Sequence, residues 1–407
     1  MPAERVRPLR IGIAGGSIGG LTAALLLHEL GHDVHVFERS SAALKDRGAG
    51  IVVLPITERY FTRRGDALGG TDAEGSDVAL SLTNWDYIDI TGRTVSSVPT
   101  HNRFTSWNTL YRALLGAFPA DRYHLSHAVE MVSQIDDRVT LTFEGGERHE
   151  CDLMVAADGM SSTVRSIVSP ETATEYAGYI AWRGTIQDNQ LTPAAATAFA
   201  DSVVYQVLDH SHILGYAIPT DDPEDTAKRA FNWVWYRNAS LSEYHSIMVD
   251  RFGSQRSTTM PPGFVNDRYL EELRSEASQV LAPPFADTVL ACEEPFAQAI
   301  FDMSASRFVY GRIVLMGDAA AVARPHVAAG SAKACADAWA LRDHLDSSEP
   351  LDSALAKWEL QQIALARTVS ARSRTMGESA QKSGTMIVGD PKWRFGLFGS
   401  GDAAGDE

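Results

Sequence analysis

The stretch LRIGIAGGSIGGLTAALLLHELGHDVHVFE, residues 9–38, decides the fold of this chain. Residues 9–14 form a short, mostly apolar run, which is typical of a strand buried on both faces of a parallel sheet. A glycine-rich turn follows, and then a run of apolar residues at helical spacing that ends before Gly31, where a helix C-terminal cap is expected. The alternating residues 32–38 indicate a second strand. Together these features predict a βαβ unit.

The glycine turn has the pattern of a dinucleotide-binding site. It reads GGSIGG, residues 15–20, and lies between the predicted strand and helix. Glycines permit the tight turn, and the amides at the start of a helix bind a pyrophosphate. Glu38 ends the next strand eighteen residues after Gly20, close to the spacing of the acid that hydrogen-bonds a ribose hydroxyl. Ser17 replaces the usual second glycine of the motif, so either the backbone lies further from the phosphate or the hydroxyl itself binds it.

Two further predicted strands end in a carboxylate. The apolar residues 151–157 run into Asp158, and residues 313–316 run through Gly317 into Asp318. Ligands bind at the carboxyl edge of a parallel sheet, where a carboxylate can accept hydrogen bonds from a ribityl chain. A Rossmann turn alone does not separate NAD from FAD, but the two strand ends favour FAD.

The composition excludes several classes of protein. The 407 residues are 44% hydrophobic and 22% charged, as in a globular protein of two or three domains. The net charge of −16 argues against a nucleic-acid partner, whose phosphates require clustered Lys and Arg. No apolar run approaches the ~18 residues of a membrane helix. The widely spaced Cys151, Cys292 and Cys335 fit a reducing compartment and have no metal spacing. We therefore expect a cytoplasmic protein without a membrane partner and without a metal site.

The middle of the chain has a different pattern. Residues 176–243 contain short alternating segments, which predict an antiparallel sheet, and residues 82–90 indicate an earlier strand of the same sheet. Two strand faces are predicted there: His212, Leu214, Tyr216 and Ile218 on one strand, and Phe231, Trp233 and Trp235 on the next. Residues 351–382 have a helical pattern, and residues 399–407 are expected to be disordered.

Three motifs occur in a characteristic order. They are GGSIGG followed by Glu38, then AADGMSSTVR at residues 156–165, then GDAAAVARPHVAAGSAKAC at residues 317–335. With these motifs the chain resembles the class A, single-component FAD-dependent aromatic hydroxylases, the family typified by para-hydroxybenzoate hydroxylase, over about residues 9–380. The segments GIVVLP, RFTSW, YAGYIAWRG and RPHVAAGSAKAC are most similar to the 2,6-dihydroxypyridine 3-hydroxylase branch of that family.

The last motif departs from the commoner form of the family. That form has His after GDAA, then a Pro-Pro pair and a Gly-Gln-Gly turn. Ala321, the pair Arg324-Pro325 and residues 328–330 stand at those places here. Trp107 stands where the family often has an arginine, so Arg103 is expected to supply that charge instead.

The resemblance implies an α/β fold with two interleaved domains. A Rossmann-like FAD-binding domain of the glutathione-reductase type would comprise residues 8–75, 99–175 and 290–382, including C-terminal helices. A substrate-binding domain, built on the antiparallel sheet, would comprise residues 76–98 and 176–289. Residues 383–407 would form a C-terminal tail.

The resemblance also implies which residues bind FAD. The first motif and Glu38 would hold the ADP half, Asp158 would serve the flavin and the reducing nicotinamide, and Asp318 would hold the ribityl chain. Residues 330–332 would begin a helix beside the flavin, where the helix dipole favours negative charge on the reduced ring. The full predicted set is Gly15, Gly16, Ser17, Ile18, Gly20, Glu38, Arg39, Gly50, Arg103, Asp158, Gly317, Asp318, Pro325, Ala329, Gly330, Ser331 and Ala332.

The implied activity is a monooxygenase reaction. NADH or NADPH would dock transiently, because the sequence shows no second dinucleotide motif, and O₂ would give a flavin C4a-hydroperoxide that hydroxylates an electron-rich ring. A hydroxylated N-heteroaromatic ring, such as a hydroxypyridine, is the expected substrate. The alternatives are the same chemistry on a benzenoid hydroxy acid resembling salicylate, an NAD-dependent dehydrogenase, and a non-catalytic flavin-binding protein. A homodimer is implied by the resemblance alone.

Hydroxylation is helped by removal of a proton from a ring hydroxyl, for which histidine is suited. His326 lies in the loop after the predicted ribityl-binding strand, and His212 opens the alternating strand expected to roof the pocket. Tyr216 and Tyr205 are candidate hydroxyl partners. Arg324 would neutralise an anionic substrate or hold the loop. Three tryptophans are expected to pack in the core rather than to form a pocket wall: Trp182, Trp233 and Trp235.

Overall fold

The structure is a computed structural model that describes residues 8–44, 50–65, 79–220 and 229–402. Parts of the predicted domains at 45–49, 66–78, 221–228 and 403–407 lie outside the described residues. The strands are β1 (Arg10–Ala14), β2 (Asp33–Phe37), β3 (Gly50–Val53), β4 (Leu80–Ser81), β5 (Asn84–Ile88), β6 (Thr94–Pro99), β7 (Arg103–Ser106), β8 (Tyr123–His124), β9 (Val129–Ile135), β10 (Arg138–Phe143), β11 (Arg148–Cys151), β12 (Leu153–Ala156), β13 (Glu175–Gln187), β14 (Ser202–Leu208), β15 (Ser211–Pro219), β16 (Arg229–Asn238), β17 (Thr259–Met260), β18 (Phe296–Ser304), β19 (Val309–Tyr310), β20 (Ile313–Leu315) and β21 (Ala321–Val322).

The helices connect these strands and close the chain. They are α1 (Ile18–Glu29), α2 (Pro55–Arg63), α3 (Trp107–Ala117), α4 (Thr163–Val168), α5 (Pro193–Phe199), α6 (Leu241–Ile247), α7 (Asp267–Val280), α8 (Pro283–Ala291), α9 (Gly330–Leu345) and α10 (Leu351–Gln381). None of the helices in the described ranges is long and apolar enough to cross a membrane.

The predicted βαβ unit is confirmed as β1, α1 and β2. These elements belong to a six-stranded sheet of order β19-β20-β12-β1-β2-β8, in which every pair except β19 with β20 is parallel. Gly31 has φ +88°, as expected for the residue that ends a helix in the left-handed region. Helix α1 is buried on nearly all sides and packs on α9, where a Cβ at Gly19 would lie 2.9 Å from the Ala334 Cβ.

The second sheet has nine strands and is the predicted antiparallel sheet. Its order is β17-β18-β13-β16-β15-β14-β5-β6, and β21 pairs with β18. One pair, β14 with β5, is parallel. Strand β5 is the earlier strand that the sequence predicted for this sheet at residues 82–90. Two smaller sheets, β11-β10-β9 and β3-β7-β4, complete the described strands.

The two faces of the nine-stranded sheet bury different side chains, as the alternation predicts. Trp182, Trp233 and Trp235 lie on one face and pack with residues of α5, α7 and α8, so the prediction that they are core residues is confirmed. Leu214 and Tyr216 lie on the other face, which points toward β3, β7 and α10. This second face is therefore the one that can line a site.

The last strand of that sheet differs from the predicted domain division. Residues 290–382 were assigned to the FAD-binding segments, but β18 pairs with β13 through Ile180↔Ala299 and Trp182↔Ala297. The sequence gives little indication that β18 joins this sheet, because the strand follows helix α8 and no hairpin turn connects it to β13. The other predicted domain boundaries stay predictions.

The C-terminal segment, as far as residue 402, packs against the rest of the protein and is not a free tail. Trp393, Phe395 and Leu397 are buried, and the Phe395 ring lies 4.6 Å from that of Trp85. The Asp402 carboxylate accepts backbone N–H groups of Leu397 at 2.8 Å and Gly399 at 2.7 Å. The prediction of disorder at 399–407 is therefore wrong for 399–402, because alternating apolar side chains anchor this end of the chain.

Candidate active site

The three sequence motifs meet at one edge of the six-stranded sheet. Strands β1, β12 and β20 are parallel neighbours, so their carboxyl ends lie side by side. The glycine turn, Asp158 and Asp318 follow these three strands in turn. This is the sheet edge at which α/β proteins bind nucleotides.

The glycine turn is too tight for side chains at several places. Gly15 has φ +97°, and a Cβ there would lie 2.3 Å from the Ala157 carbonyl oxygen. A Cβ at Gly20 would lie 1.9 Å from the carbonyl oxygen of Gly15 itself. A Cβ at Gly16 would lie 2.2 Å from the Tyr123 hydroxyl oxygen. The turn therefore presents backbone, which is what a pyrophosphate needs for close approach.

Glu38 holds the turn from the neighbouring strand. Its buried carboxylate accepts the backbone N–H of Gly16 at 2.9 Å and of Ser40 at 3.0 Å. The first amides of α1 have no carbonyl one turn earlier in the helix, so they are available to an anion. Ser17, the cap residue, makes no side-chain capping bond, and Arg39 is exposed beside Glu38. The turn thus fits a dinucleotide.

Asp158 lies beside the turn at the end of β12. Its Oδ2 accepts the Val164 N–H at 3.2 Å, while Oδ1 is enclosed and has no partner among the described residues. Burial raises the pKa of this carboxyl group, whereas the neighbouring Ser162 hydroxyl lowers it. An enclosed oxygen without a donor fits the site of a hydroxyl or amide group supplied by a ligand.

A buried ion pair fixes the backbone before Asp318. Asp337 Oδ2 accepts the Gly317 N–H at 2.8 Å and the Lys333 ammonium at 2.9 Å, and Lys333 donates to the Gly317 carbonyl at 2.9 Å. Both residues are almost fully buried, although burial raises the pKa of Asp337. Lys333 and Asp337 were missed by sequence analysis, but their i,i+4 spacing on a helix of small residues was a usable signal.

A cavity of about 450 Å³ separates this sheet edge from the nine-stranded sheet. Asp318, Pro325, Gly330 and Ser331 line its cofactor side. Burial raises the pKa of Asp318, and the Lys333 charge opposes that shift. The opposite wall comes from the sheet and α10: Arg183, Tyr205, His212, Leu214, Tyr216, Val234, Tyr236, Gln298 and Met376.

The two predicted histidines lie together in this cavity. Their ring centroids are 5.3 Å apart, and the Tyr236 ring lies 4.6 Å from His326 and 4.7 Å from His212. His326 Nε2 is 2.8 Å from the Tyr179 hydroxyl, and His212 Nδ1 is 3.1 Å from the Gln381 amide nitrogen. Burial lowers the pKa of His212 to about 3 and that of His326 well below its usual range, with mutual repulsion contributing to the latter. Both imidazoles are therefore neutral.

Tyr216 lies in the cavity, but its hydroxyl has a structural partner. It donates to the Gly50 carbonyl at 2.8 Å, while the Gly50 N–H donates to Asn232 Oδ1 at 3.1 Å. A Cβ at Gly50 would lie 2.6 Å from the Tyr216 ring. Burial raises the pKa of Tyr216 to about 12 and that of Tyr205 well above its usual value. These contacts favour a positioning role for Tyr216 at the β3 segment, and its role as a hydroxyl partner of the substrate stays a prediction.

Arg183 and Gln298 are cavity residues that sequence analysis missed. Arg183 Nη1 donates to Gln298 Oε1 at 3.1 Å, and its Nε is enclosed without a partner among the described residues. Burial raises the pKa of Tyr216 and Tyr236, and the nearby charge of Arg183 opposes that shift. The alternation of β13 was a usable signal, since Tyr179, Ala181 and Arg183 lie on the face opposite Trp182.

Several predicted FAD-binding residues do not line the cavity. Arg103 forms an ion pair with Glu58, whereas Trp107 lines the cavity itself. Glu58 holds the Arg103 guanidinium outside the cavity lining, and the expectation that Arg103 supplies the charge of the family's arginine stays a prediction. Ala329 and Ala332 are buried at the start of α9. The side chains of Ala329 and Ala332 pack in the core, and Gly317 is buried as well. Only the backbone of these three residues can therefore serve a ligand.

The loop before α9 is held by Arg324 and contains a strained residue. Arg324 donates to Asp302 through Nε at 2.9 Å and Nη2 at 2.5 Å and so holds the loop, while its role toward an anionic substrate stays a prediction because it also lines the cavity. Ala328 has φ +52° in the left-handed region, at a place where the commoner family form has glycine. An L-residue in this region costs about 1–2 kcal/mol.

Comparisons with known proteins agree with this site. A family model described as FAD binding domain-like matches residues 176–302. The 2,6-dihydroxypyridine 3-monooxygenase of Paenarthrobacter nicotinovorans is 34% identical over 389 residues, covering 95% of this chain and 96% of that protein. The solved structure of 2,6-dihydroxypyridine-3-hydroxylase from Arthrobacter nicotinovorans has a TM-score of 0.90 at 34% identity, covering 96% of this chain and 97% of that one.

A more distant relative acts on a different ring. The FAD-dependent urate hydroxylase of Klebsiella pneumoniae is 25% identical over 386 residues, covering 89% of this chain and 88% of that protein. The similarity to the dihydroxypyridine enzyme extends over 95% of this chain at 34% identity. The chain therefore belongs to the class A FAD-dependent aromatic hydroxylases, and FAD is its cofactor.

Proposed function

We propose that this enzyme hydroxylates a hydroxylated N-heteroaromatic ring of the hydroxypyridine class, with NADH or NADPH as reductant and O₂ as oxygen donor. The observation that carries the proposal is the cavity in which two neutral histidines and the Arg183 guanidinium face the cofactor side of the site. A relative with 34% identity over 95% of the chain is a dihydroxypyridine monooxygenase, which supports the substrate class.

FAD, when bound, supplies the reduction and oxygen-activation chemistry that side chains lack. In this proposal the chain binds it mainly through backbone and helix ends. The turn at 15–20 and Glu38 hold the ADP half, Asp158 and Asp318 accept from the middle of the cofactor, and the α9 amides at 330–332 support the ring system. Gly317, held on both sides by the Lys333–Asp337 pair, fixes where the Asp318 carboxylate lies.

The histidine pair handles the ring proton. A ring hydroxyl that loses its proton becomes more electron-rich and so more reactive toward an electrophilic oxygen. A neutral imidazole accepts that proton while the ring becomes an anion, and attraction between the two charges offsets part of the cost of burial. Because the rings of His212 and His326 are 5.3 Å apart, repulsion disfavours a state in which both are charged.

Arg183 and Gln298 orient the ring in this proposal. The enclosed Nε–H of Arg183 is a donor without a partner among the described residues, and the positive charge of the guanidinium favours an anionic oxygen. Gln298 holds the guanidinium plane through Oε1. Leu214, Val234 and Met376 add an apolar lining that excludes water from the ring.

The first experiment measures product. The FAD-bound protein is mixed with NADH or NADPH, ¹⁸O₂ and a panel of hydroxypyridines and hydroxybenzoates including salicylate. We expect a hydroxypyridine to gain one labelled oxygen with about one product per reductant oxidised. Arg183 would also suit a ring carboxylate, so labelled product from benzenoid acids alone would replace the pyridine proposal. Protein that binds no FAD, or that labels no ring, would overturn the function.

A histidine variant tests the proton step in the same assay. His212→Gln removes the imidazole and should lower hydroxylation about 100-fold, as for loss of a general base. His245→Gln, on the exposed helix α6, is the matched control and should behave as wild type. Turnover of His212→Gln should recover toward high pH, where the substrate hydroxyl ionises without help. Unchanged turnover at neutral pH would remove His212 from the mechanism.

We also propose that the enzyme acts in the cytoplasm. Its three cysteines are free, and burial raises the pKa of Cys151 and Cys335 to about 12 and of Cys292 to about 11. Unreactive thiols that form no disulfide suit a reducing compartment. A homodimer stays part of the proposal and is tested by the mass of the protein in solution.

A further inference from the structure

The hydrogen bond between Tyr179 and His326 lies at the back of the cavity. Both side chains are buried, and the Tyr179 hydroxyl is 2.8 Å from His326 Nε2. The other ring nitrogen, Nδ1, has no hydrogen bond to a described residue, and because His326 lines the cavity it is the nitrogen left for a ligand. What Nδ1 can do there depends on which partner of the Tyr179 pair carries the proton.

Arg324 decides that question. Its guanidinium carbon lies 5.7 Å from the Tyr179 ring centroid, so its positive charge is close to the Tyr179 side chain. The bidentate contact with Asp302 keeps Arg324 in place and charged. A guanidinium has donors and no acceptor, so the Tyr179 hydroxyl cannot donate its proton to Arg324. Among the described residues the Tyr179 hydroxyl has a hydrogen bond with His326 Nε2 alone, so its proton points at that nitrogen.

We propose that Tyr179 fixes His326 as a hydrogen-bond donor to the substrate and that Gly377 makes the room for this contact. With Nε2 accepting from Tyr179, the neutral imidazole carries its proton on Nδ1 and presents an N–H to a ring oxygen in the cavity. Tyr179 and Gly377 are positioning residues, and His326 is the catalytic residue on which they act. This inference rests on the proposed function and specifies the role of one of its residues.

Gly377 is the observation that ties helix α10 to this pair. It lies within the 31-residue helix α10, where glycine is less favourable than alanine. A Cβ at this position would lie 2.5 Å from the Tyr179 hydroxyl oxygen and 2.9 Å from His326 Nε2. Neither atom is a flexible chain end, because both side chains are enclosed. The helix therefore gives up local stability at the one turn that covers the Tyr179–His326 bond.

His212 is not restricted in the same way. Its Nδ1 contacts the Gln381 amide, a group that has both a donor nitrogen and an acceptor oxygen. His212 can therefore direct either a lone pair or an N–H from Nε2 into the cavity. In this proposal the Gln381 amide rotates to bring its oxygen to Nδ1, which leaves the Nε2 lone pair of His212 to accept the ring proton while His326 donates.

Two substitutions of His326 separate donation from acceptance. Asparagine places an amide nitrogen where Nδ1 of histidine lies, so His326→Asn retains a donor but has no basic nitrogen. We expect His326→Asn to hydroxylate within about tenfold of wild type and His326→Ala to lose about 100-fold or more. Equal losses in the two variants, with FAD still bound in both, would overturn the proposal.

A double-mutant cycle tests Gly377. Tyr179→Phe removes the hydroxyl, and Gly377→Ala displaces it, so each should lower product formed per reductant oxidised about tenfold. The double variant should resemble Tyr179→Phe alone, because both changes remove the same bond. Gly116→Ala is the matched control, since a Cβ on that glycine of α3 meets nothing within 4 Å. Independent, multiplying effects would show that Gly377 does not act through Tyr179.

The protonation state of His326 is measured directly by ¹⁵N-histidine NMR of the FAD-bound enzyme. The signals of His326 are identified by their loss in His326→Ala. We expect a protonated Nδ1 and an unprotonated Nε2 in wild type, and a mixture of the two tautomers in Tyr179→Phe. A protonated Nε2 in wild type would overturn the proposal even if hydroxylation is confirmed, whereas absence of hydroxylation in wild type would overturn the proposed function instead.

Discussion

Two connections at the same sheet edge present different chemical groups to the site. The β1–α1 turn is made of backbone: Gly15 takes φ +97° and presents amides at the start of α1. The β20–α9 connection is made of side chains, with Asp318 and His326 directed at the cavity. Its non-glycine left-handed residue is Ala328 at φ +52°, whereas the left-handed residue of the first connection is the glycine Gly15.

The difference follows from what each connection has to recognise. A pyrophosphate is the same in every dinucleotide, so one compact arrangement of amides suits it and few side chains are needed. A substrate ring differs between relatives and must be recognised by donors, acceptors and shape. The second connection therefore depends on distant partners, such as Tyr179 on β13 for His326 and Asp302 on β18 for Arg324.

The largest effect is expected at the first connection. In Gly20→Ala the new Cβ would lie 1.9 Å from the Gly15 carbonyl oxygen, so the turn must open. We expect the dissociation constant of FAD to rise more than about 100-fold, equivalent to about 2.7 kcal/mol. Titration of the apoprotein with FAD, followed by flavin fluorescence, measures this change.

Ser17→Gly is the comparison within the same turn. Ser17 has φ −84° and makes no side-chain capping bond, so neither its conformation nor its hydroxyl is required. We expect FAD affinity to change by less than about threefold. A loss as large as that of Gly20→Ala would mean that the Ser17 hydroxyl binds the phosphate, which was one of the two alternatives that the sequence left open.

The same contrast explains how much the sequence could predict. The βαβ unit, the three motifs and the two faces of the antiparallel sheet follow from local patterns of glycine and apolar residues, and all are confirmed. His212 and His326 were predicted from their places in the chain. Their partners Tyr179 and Gln381 could not be, because a hydrogen bond across 147 or 169 residues leaves no local pattern.

A side chain on the cavity wall should have an intermediate effect. Arg183→Met keeps the length of the side chain but removes the charge and the donors next to Gln298. We expect the dissociation constant of an anionic ring to rise about 10- to 50-fold, as for a lost charge-assisted hydrogen bond, with FAD affinity unchanged. Substrate-induced change in the flavin spectrum measures ring binding.

Gln298→Leu is the companion variant for Arg183. It leaves the charge but removes the acceptor that holds the guanidinium, so we expect a smaller loss than in Arg183→Met. Ring binding that is the same in both variants and in wild type would show that this wall does not recognise the substrate. It would also remove the reason for expecting an anionic oxygen at that end of the cavity.

The smallest effect is expected at Ala328, where the second connection differs most from the first. In the left-handed region an alanine costs about 1–2 kcal/mol that glycine does not, but glycine gives back part of this through the larger entropy of its unfolded chain. Ala328→Gly should therefore stabilise the protein by about 0.5–1 kcal/mol, a rise of about 1–2 °C in Tm for a chain of this size.

Ala328 also lines the cavity next to His326. If the strained alanine holds that loop rigid for the substrate, thermal stability rises while hydroxylation becomes less efficient. A rise in Tm with no change in product formed per reductant would mean that the strain has no function, and a fall in Tm would mean that Ala328 is not strained.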